Sequence, residues 1–300
     1  MIIVRISGGL GNQMFQYALG RALSIKNDTE LVLDISNFNY QKKEDAFRKY
    51  TLDVFNISGR IAKPEDFINL GITNPGNQNL LAKIKRKIER FAESKKLLAS
   101  RKTIIENQFL FIPEILEIKE SCFLIGVWQS EKYFEAVGEQ IRRDFKLKTP
   151  LSTGAEMLRK KISINNSVAI HVRRGDQVSN PHLAKKHGIL NEDYYISAVD
   201  YIKKRVPSSH LYIFSDDTEW AKKNLQLGEN VTYISDFALP DYEELTLMSL
   251  CKHAIIAKSS YSWWGAWLNE NPQKIIITPK NRFGTAGNDD DLIPKSWIRI

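Results

Sequence analysis

The chain has 300 residues, more than one compact domain usually holds, and its 43% apolar and 26% charged residues exclude a disordered protein. Its two cysteines exclude a disulfide framework and favour small buried thiols in a reducing compartment. The formal net charge of +8 does not indicate nucleic-acid binding, because most of the excess lies in residues 82–102, with nine Lys or Arg against two Glu. No signal peptide and no apolar run of roughly 20 residues is evident, so we expect a cytoplasmic protein.

The first half opens as an α/β unit and then becomes less regular. A Pro, Ser, Thr and Gly-rich connector, Leu147–Gly154, marks the expected boundary between a domain at 1–150 and a domain at 151–300. Asn12 is a candidate cap of the first helix. The predicted elements are strands at Ile2–Ile6, Glu30–Leu33 and Phe123–Trp128, a tight turn at GGLGNQ, and helices at Met14–Ile25 and Glu131–Phe145.

The basic segment Ala82–Lys102 has Ile84, Ile88, Phe91 and Leu98 at helical spacing, which predicts an amphipathic helix. Two interpretations remain open. The helix either packs on the first domain as a solvated surface element, or it attaches the protein to an anionic membrane surface.

The second half alternates strands and helices more cleanly, which predicts a doubly wound parallel sheet. In such sheets ligands bind beyond the carboxyl ends of the strands, so the residues that follow each strand are the candidate site. The predicted strands are Ser167–Val172, Leu211–Phe214, Val231–Ile234, Ala254–Ala257 and Lys274–Thr278, and the predicted helices are Asp193–Arg205, Glu219–Leu225, Tyr242–Cys251 and Ser262–Asn269.

Two arginines, Arg173 and Arg174, follow the first of these strands in the segment HVRRGD, which begins at His171. The planar guanidinium donates two hydrogen bonds at once to phosphate oxygens and keeps its charge, which suits a diphosphate. Adjacent residues on a regular strand point to opposite sides, so only one arginine is expected to face the ligand. Gly175 would permit a sharp backbone turn. The alternative is an exposed ion cluster of Arg173, Arg174 and Asp176.

The next strand ends in Ser215, Asp216 and Asp217. A carboxylate there either binds a guanine base or ribose hydroxyls, or caps the helix that begins near Glu219.

After the strand AIIA, Ser259, Ser260 and Tyr261 lead into a helix with Trp263. Hydroxyls and backbone N–H groups at a helix N-terminus favour an anion. The tryptophans are interpreted either as core packing or as a sugar platform.

Two classes of site are not supported. The turn at Gly8, Gly9 and Gly11 has Met14 at the third glycine position of the dinucleotide motif, which argues against a nicotinamide cofactor. The five histidines show no metal-ligand spacing, and the acidic run from Asp289 to Asp291 is interpreted either as a metal-diphosphate site or as a solvated loop. We expect no cofactor and no metal.

Four motifs, GGLGNQMFQYALGRAL, HVRRGD, YIFSDD and SSYSWWGAWL, together with the terminal DLIPKSWIRI, resemble in order the bacterial α-1,2-fucosyltransferases of glycosyltransferase family 11. The resemblance implies a GT-B fold, in which two Rossmann-like doubly wound domains face a cleft. It also implies GDP-fucose as donor, inversion at the anomeric carbon and no metal requirement. The first domain would lie on the acceptor side and the second would bind GDP-fucose.

The resemblance also implies roles for individual residues. Arg173 would be the principal phosphate ligand and Arg174 its partner. Asp216 or Asp217 would contact the nucleoside. The remaining donor-binding candidates are Gly9, Gly11, Gln13, His171, Ser215, Ser259, Ser260, Tyr261 and Trp263, and Asn12 would close over the donor as a catalytic residue.

The implied reaction transfers L-fucose to the 2-hydroxyl of a terminal galactose on a glycan such as an O-antigen repeat, free or lipid-linked. Asp176 is either the general base or an ion-pair partner of the arginines, and His182 and His187 are further candidates for the base. The alternatives are a fucosyltransferase of another linkage, α-1,6 or protein O-fucosylation, and a non-catalytic sugar-nucleotide-binding protein.

Overall fold

The computed structural model describes residues 1–40, 48–107, 110–175, 190–280 and 290–300. The chain divides into two compact units, Met1–Lys148 and Thr149–Ile300, and each contains one parallel sheet.

The first unit is built on a central strand that is apolar on both faces. Residues Ile2, Ile3 and Val4 of this strand are fully buried, as expected for a parallel strand covered on both sides. Among the described residues the strands are β1 (Ile2–Arg5), β2 (Leu31–Asp34), β3 (Arg60–Ile61), β4 (Thr103–Ile105) and β5 (Cys122–Ile125), and the α-helices are α1 (Leu10–Lys26), α2 (Pro64–Asn69), α3 (Leu80–Ser94) and α4 (Gly138–Asp144). The sheet order is β3-β2-β1-β5-β4.

The helix α1 begins four residues earlier than the sequence predicted. Gly8 has a φ of +74°, so it turns the chain out of β1, and Gly9 is the N-cap, without a side-chain bond. Asn12 therefore lies inside the first turn of α1, and the prediction that it caps the helix is wrong.

Two further helix predictions in this unit need correction. The expected helix at Glu131–Phe145 is two 3₁₀ turns, Glu131–Tyr133 and Glu135–Val137, followed by the short α4. Phe134, between the two turns, has a non-helical φ of −137° and is buried, so its packing interrupts the helix. The helix α3 ends at Ser94, and Leu98 lies in a separate 3₁₀ turn.

The second unit contains a six-stranded parallel sheet in its described residues. Its core is formed by apolar residues of the sheet together with the helix that contains Tyr195, Ala198 and Ile202. The strands are β6 (Asn166–Val172), β7 (Ser209–Ser215), β8 (Val231–Tyr233), β9 (His253–Ile255), β10 (Ile276–Thr278) and β11 (Ile298–Arg299), and the helices are α5 (Thr153–Ile164), α6 (Glu192–Lys203), α7 (Thr218–Asn224), α8 (Asp241–Leu250) and α9 (Ser260–Leu268).

The order of this sheet is β11-β10-β9-β6-β7-β8. From β6 the chain builds outward through β7 and β8, then returns to the other side of β6 with β9, β10 and β11. This is the strand order of dinucleotide-binding sheets, whose ligands lie beyond the carboxyl ends of the strands where the order reverses. That point in this sheet lies between β6 and β9.

The helix α5 was missed by the sequence analysis, because its first residues were assigned to the connector. Ser152 caps it by accepting a hydrogen bond from the N–H of Ala155 at 3.3 Å. The buried carboxylate of Glu243 on α8 in turn accepts from the backbone N–H of Ser152 at 2.6 Å and from its hydroxyl at 2.7 Å. Ser and Thr therefore start a helix here rather than extend a loop.

The predicted fold class, α/β with two Rossmann-like doubly wound domains, is confirmed by these two sheets. Cys122 and Cys251 are buried free thiols, as expected, and burial raises the pKa of each. Within the described ranges, no helix has the length and hydropathy needed to cross a membrane.

Candidate active site

The arginines that follow β6 face the carboxylates that follow β7. The two strands are paired in parallel, with Val172 opposite Ser215, so the residues after both strands emerge side by side. The guanidinium of Arg173 lies 3.1 Å from Asp216 Oδ2, and the backbone N–H of Arg174 donates to Asp216 Oδ1 at 2.8 Å. The strand ends at Val172, so both arginines lie beyond the regular strand to which the alternation of sides applies.

The two arginines are nevertheless held differently. The guanidinium of Arg174 lies 3.9 Å above the ring of Trp220, and its Nε is 3.4 Å from Asp217 Oδ2. The side chain of Arg173 is 25% exposed and that of Arg174 is 16% exposed. The side chain of Arg174 is thus packed against Trp220 and Asp217, whereas Arg173 is the more accessible cation at the strand end.

The carboxylates of Asp216 and Asp217 also have distinct environments. Asp217 caps α7, because its Oδ1 accepts from the backbone N–H of Trp220 at 3.1 Å. Asp216 makes the ion pair with Arg173 instead. The cap interpretation and the site interpretation of this motif therefore each describe one of its two aspartates.

Gly175 is required by space rather than by backbone conformation. A Cβ at this position would lie 2.8 Å from Asp216 Oδ2, closer than a carbon and an oxygen can approach without a shift. Ser215 secures the segment that carries Asp216, since its N–H donates to Ser235 Oγ at 2.8 Å and its Oγ accepts from the N–H of Asp217 at 3.0 Å.

The start of α9 lies beside the end of β6. Ser259 is the N-cap and accepts from the backbone N–H of Tyr261 at 3.3 Å. The hydroxyl of Tyr261 donates to the carbonyl of Asp241 at 2.6 Å, and its ring lies 5.6 Å from the ring of His171. The ends of β6 and β9, on the two sides of the switch point, therefore meet, with Ser260 in the first turn of α9.

His171 is a buried neutral imidazole at this point. Burial, together with a smaller effect of the nearby charge of Arg173, lowers its pKa to about 3. In the part of the chain that the structure describes, its Nδ1 has no hydrogen-bond partner. A buried polar atom without a partner is uncommon, and at the end of a central strand it points to a ligand that supplies the missing bond.

Glu244 on α8 is a candidate that the sequence analysis missed. Burial, with a smaller contribution from Asp241, raises the pKa of its carboxyl to about 7. Burial raises the pKa of the Tyr261 hydroxyl, and the carboxyl groups of Glu244 and Asp241 raise it further. Glu244 thus changes its charge near neutral pH, next to a predicted donor-binding residue.

Trp263 cannot be a sugar platform in this structure. Its indole is fully buried, its Nε1 donates to the carbonyl of Leu292 at 2.8 Å, and its ring packs against Trp264 and Trp297. The donor contact expected for Trp263 is therefore replaced by a role in the core, because a helix this rich in aromatics buries most of them.

In the first unit, the glycine turn lies at the end of β1. A side chain at Gly9 would begin 3.9 Å from the guanidinium of Arg48. Gly11 is buried in the first turn of α1. Asn12 Oδ1 accepts from Gln129 Nε2 at 2.9 Å, which joins the first turn of α1 to the loop that follows β5.

Gln13 is fully buried, and its amide is used by the backbone. Its Nε2 donates to the carbonyls of Gly8 at 2.9 Å and Lys49 at 2.7 Å, and its Oε1 accepts from the N–H of Thr51 at 3.0 Å. Gln16, three residues later and also fully buried, bonds Ser7 and Gly126 in the same way. The structure thus gives Gln13 a structural role where the sequence suggested a donor contact.

A strained backbone position follows β5 in this unit. Trp128, after β5, has a φ of +57°, which is costly for a bulky residue. The carboxylate of Glu106 fixes it by accepting from the backbone N–H groups of Val127 and Trp128. Burial raises the pKa of Glu106. No motif in the sequence marks this pair.

The sequence of the whole chain matches one family model. That model, "Glycosyl transferase family 11", covers residues 1–300. The chain belongs to glycosyltransferase family 11. The resemblance predicted from four motifs is confirmed over the full length.

Two curated relatives of this family 11 chain come from Escherichia coli. An "Alpha-1,2-colitosyltransferase" is 34% identical over 100% of this chain and 99% of its own length. An "O-antigen biosynthesis glycosyltransferase WbnK" is 33% identical over 98% of this chain and 99% of its own length. A "Galactoside 2-alpha-L-fucosyltransferase" of Caenorhabditis elegans is 26% identical over 63% of this chain and 56% of its own length.

Solved structures of fucosyltransferases are similar at lower identity. The fucosyltransferase NodZ from Bradyrhizobium matches with a TM-score of 0.46 and 14% identity, covering 88% of this chain and 91% of its own. FUT1 of Arabidopsis thaliana in complex with GDP matches with a TM-score of 0.49 and 12% identity, covering 99% and 76% respectively.

Some predicted residues of this family 11 glycosyltransferase fall outside the described residues. Asp176, His182 and His187 lie there, and so does Asp289. Asp290 is described and lies 3.1 Å from Arg299. Across the described residues, no three His, Cys, Asp or Glu side chains are grouped so that they could hold a metal ion.

Proposed function

We propose that this family 11 glycosyltransferase transfers L-fucose from GDP-fucose to the 2-hydroxyl of a terminal galactose, on a glycan such as an O-antigen repeat. The observation that supports it most is the position of Arg173, a partly exposed cation at the end of β6, beside the switch point of the sheet. The relatives named for α-1,2 transfer and O-antigen biosynthesis support the choice of reaction.

The donor diphosphate lies, in this proposal, between Arg173 and the first turn of α9. The phosphate oxygens take the place of Asp216 as partners of Arg173, which the ion pair holds extended until the donor arrives. Ser259 and Ser260 add the partial positive charge of a helix N-terminus. Arg174, stacked on Trp220, stabilises the segment that carries Arg173.

The nucleoside contacts involve the remaining polar groups at the strand ends. His171 stays neutral, so its unpartnered Nδ1 can accept or donate one hydrogen bond without an added charge. Asp216, which the diphosphate releases from Arg173, and Asp217, whose side chain is 38% exposed, are the carboxylates for a guanosine hydroxyl or the base. Gly9, Gly11 and Gln13 act by shaping the glycine turn.

The proposed reaction is a single displacement. The acceptor hydroxyl attacks C1 of fucose as the bond from C1 to the diphosphate oxygen breaks, which inverts the anomeric centre. The leaving GDP gains negative charge, and Arg173 stabilises it more in the transition state than in the ground state. A general base takes the acceptor proton, and Asp176 remains the proposed base, with Asn12 as a second catalytic residue.

The proposal needs no metal, because arginine can neutralise the departing diphosphate. Incubation with GDP-fucose and a galactose-terminated oligosaccharide, with EDTA present, tests both parts. We expect an α-1,2-linked product whose rate of formation is the same with EDTA and with added Mg²⁺. A product of another linkage would contradict the acceptor assignment. GDP-fucose binding with no turnover across a broad acceptor panel would indicate a sugar-nucleotide-binding protein.

A second donor is favoured by one observation, the 34% identity to a protein named as a colitosyltransferase. Colitose is fucose without its 3-hydroxyl, so the two donors share the GDP that Arg173 is proposed to bind. Comparing kcat/KM for GDP-fucose and GDP-colitose decides between them. We expect GDP-fucose to have the higher value, and the reverse order would assign the chain to colitose transfer.

A further inference from the structure

The helix α3 packs on the first unit with its polar side and presents its apolar side outward. Leu81, Ile84, Ile88 and Phe91 lie on the outer side, and their exposed fractions run from 49% to 81%. At 100° per residue these four positions share one face of the helix. The helix thus packs on the first unit as a surface element, but through its polar side, so its apolar stripe stays exposed.

The inner side of α3 is fixed by polar contacts. Glu89 accepts hydrogen bonds from the backbone N–H of Thr73 at 3.1 Å and from its hydroxyl at 2.7 Å. Arg86 donates to the carbonyls of Asn74 at 2.9 Å and Asn77 at 2.6 Å. These bonds hold the helix so that its apolar stripe cannot turn inward without breaking them.

The second glutamate of the helix is also used on the inner side. Glu93 is buried and accepts from the backbone N–H of Lys102 at 2.6 Å and from the ammonium of Lys96 at 2.7 Å. Both acidic residues of α3 thus face the protein. The outer face is left with apolar and basic side chains.

Basic residues border the apolar stripe on both sides. Lys83 and Lys87 are exposed along one edge, and Lys85 is exposed along the other. Beyond the last turn, the ammonium of Lys95 lies 4.7 Å from the ring centre of Phe91. Long cationic side chains around an apolar stripe can extend to lipid phosphates while the apolar residues enter the boundary of the acyl chains.

We propose that α3 is an interfacial anchor, which lies in the headgroup region of an anionic bilayer with Leu81, Ile84, Ile88 and Phe91 inserted. Charge selects this occupant, because lysines on both edges, with both glutamates turned inward, complement a negatively charged lipid surface. The anchor does not depend on the donor site, so it holds whichever sugar nucleotide the chain uses.

Co-sedimentation of the full chain with vesicles tests the anchor. The vesicles are phosphatidylcholine alone, or phosphatidylcholine with about 30% phosphatidylglycerol. We expect binding to the anionic vesicles that weakens at least tenfold when NaCl rises from about 0.05 to 0.5 M, since the shorter Debye length screens the lysines. Neutral vesicles should bind at least tenfold less of the protein.

Two variants separate the apolar and the charged contributions. Ile84→Ser with Ile88→Ser and Phe91→Ser removes the inserted side chains, and Lys83→Glu with Lys87→Glu reverses one edge. Each set should lower the partition coefficient at least tenfold. The first set removes the apolar area that enters the bilayer, and in the second set each lysine near the surface contributes about fivefold. The matched control is Lys160→Glu, Lys161→Glu and Ile164→Ser on α5, whose side chains are also exposed and which should bind like the wild type.

The folding of each variant is checked by its far-UV circular dichroism spectrum and its melting temperature, which should match the wild type. Absence of binding to anionic vesicles at low salt would overturn the proposal. Equal loss in the α5 control would also overturn it, because the attraction would then be a general effect of net charge. The proposal would also be overturned if light scattering showed that the wild type is a dimer and that only the Ile84, Ile88 and Phe91 variant is a monomer. A second copy of the chain would then cover the apolar stripe.

Discussion

The turn after β1 and the turn after β6 occupy equivalent places, since each follows the strand at which the order of its sheet reverses. They use polar residues differently. After β1, the amides of Gln13 and Gln16 are fully buried and bonded to neighbouring loops, largely to backbone groups. After β6, Arg173 and Asp216 are partly exposed and bonded to each other. The first turn is a scaffold, and the second holds an ion pair, Arg173 and Asp216, that a charged ligand can separate.

The comparison predicts its largest effect at Arg173. Arg173→Ala should lower kcat/KM for GDP-fucose by about 10²- to 10³-fold, or about 3 to 4 kcal/mol, because one charged donor to the leaving group is lost. The melting temperature should change little, since the side chain is partly exposed. Steady-state kinetics measures this, and Arg159→Ala on α5, which breaks an exposed pair with Glu156, is the control. Wild-type kinetics in the Arg173 variant would place the reaction elsewhere.

In the first unit we expect substitutions to lower stability, whereas Arg173→Ala lowers activity. Gln13→Ala should lower the free energy of unfolding by about 2 to 4 kcal/mol, since the fully buried amide supplies hydrogen bonds to the N–H of Thr51 and to the carbonyls of Gly8 and Lys49. Gln129→Ala loses only its side-chain bond to Asn12 and should cost about 1 kcal/mol or less. Urea unfolding measures both. Equal stability of the two variants would show that the first turn is not a scaffold.

Glu244 should make stability depend on pH in the second unit. Its folded pKa of about 7 lies above the value of an unfolded glutamate, so the folded state binds the proton more tightly. Its contribution to stability is present at about pH 4 and is lost as the pH rises through 7. Glu244→Gln should therefore stabilise the protein by about 1 to 3 kcal/mol at pH 8 and by little at pH 5. Thermal unfolding across this range measures it, with the exposed Glu139→Gln as control. A pH-independent effect would contradict the assignment.

The smallest predicted effect is at Gly175. Gly175→Ala places a methyl group 2.8 Å from Asp216 Oδ2, so the carboxylate has to move away from Arg173. We expect a rise in donor KM of about tenfold, with kcat reduced less, because the ion pair only orients the arginine before binding. Ser215→Ala, which leaves this contact in place, should raise the donor KM less. An unchanged KM in the Gly175 variant would show that the ion pair has no orienting role.

Much of the second unit could be predicted from its sequence. Its strands are apolar runs bounded by polar turns, and the candidate side chains directly follow the strands, so the location of Arg173, Asp216 and Ser259 at the strand ends could be predicted from position alone. The elements that were missed depend on other information. The helix α5 starts at a Ser-Thr-Gly sequence typical of loops, and only the capping carboxylate of Glu243, 91 residues away in sequence, shows otherwise.

The direction in which side chains face could not be predicted in the same way. Helical periodicity showed that α3 has an apolar stripe but not that Glu89 and Arg86 would hold it outward. The residue types of Gln13 and Trp263 are equally suited to a ligand or to the interior, and their partners, Lys49 and Leu292, are distant in sequence. The raised pKa of Glu244 depends on burial, which a single sequence does not show.

Calorimetric binding of GDP and of guanosine, to the wild type and to Arg173→Ala, tests the central claim most directly. Guanosine lacks the diphosphate, so the ratio of the two affinities measures how strongly the diphosphate is recognised. We predict that GDP binds the wild type far more tightly than guanosine, and that Arg173→Ala weakens GDP by at least tenfold while guanosine binding is unchanged. If the variant weakened both ligands equally, or left GDP affinity unchanged, Arg173 would not be the diphosphate ligand.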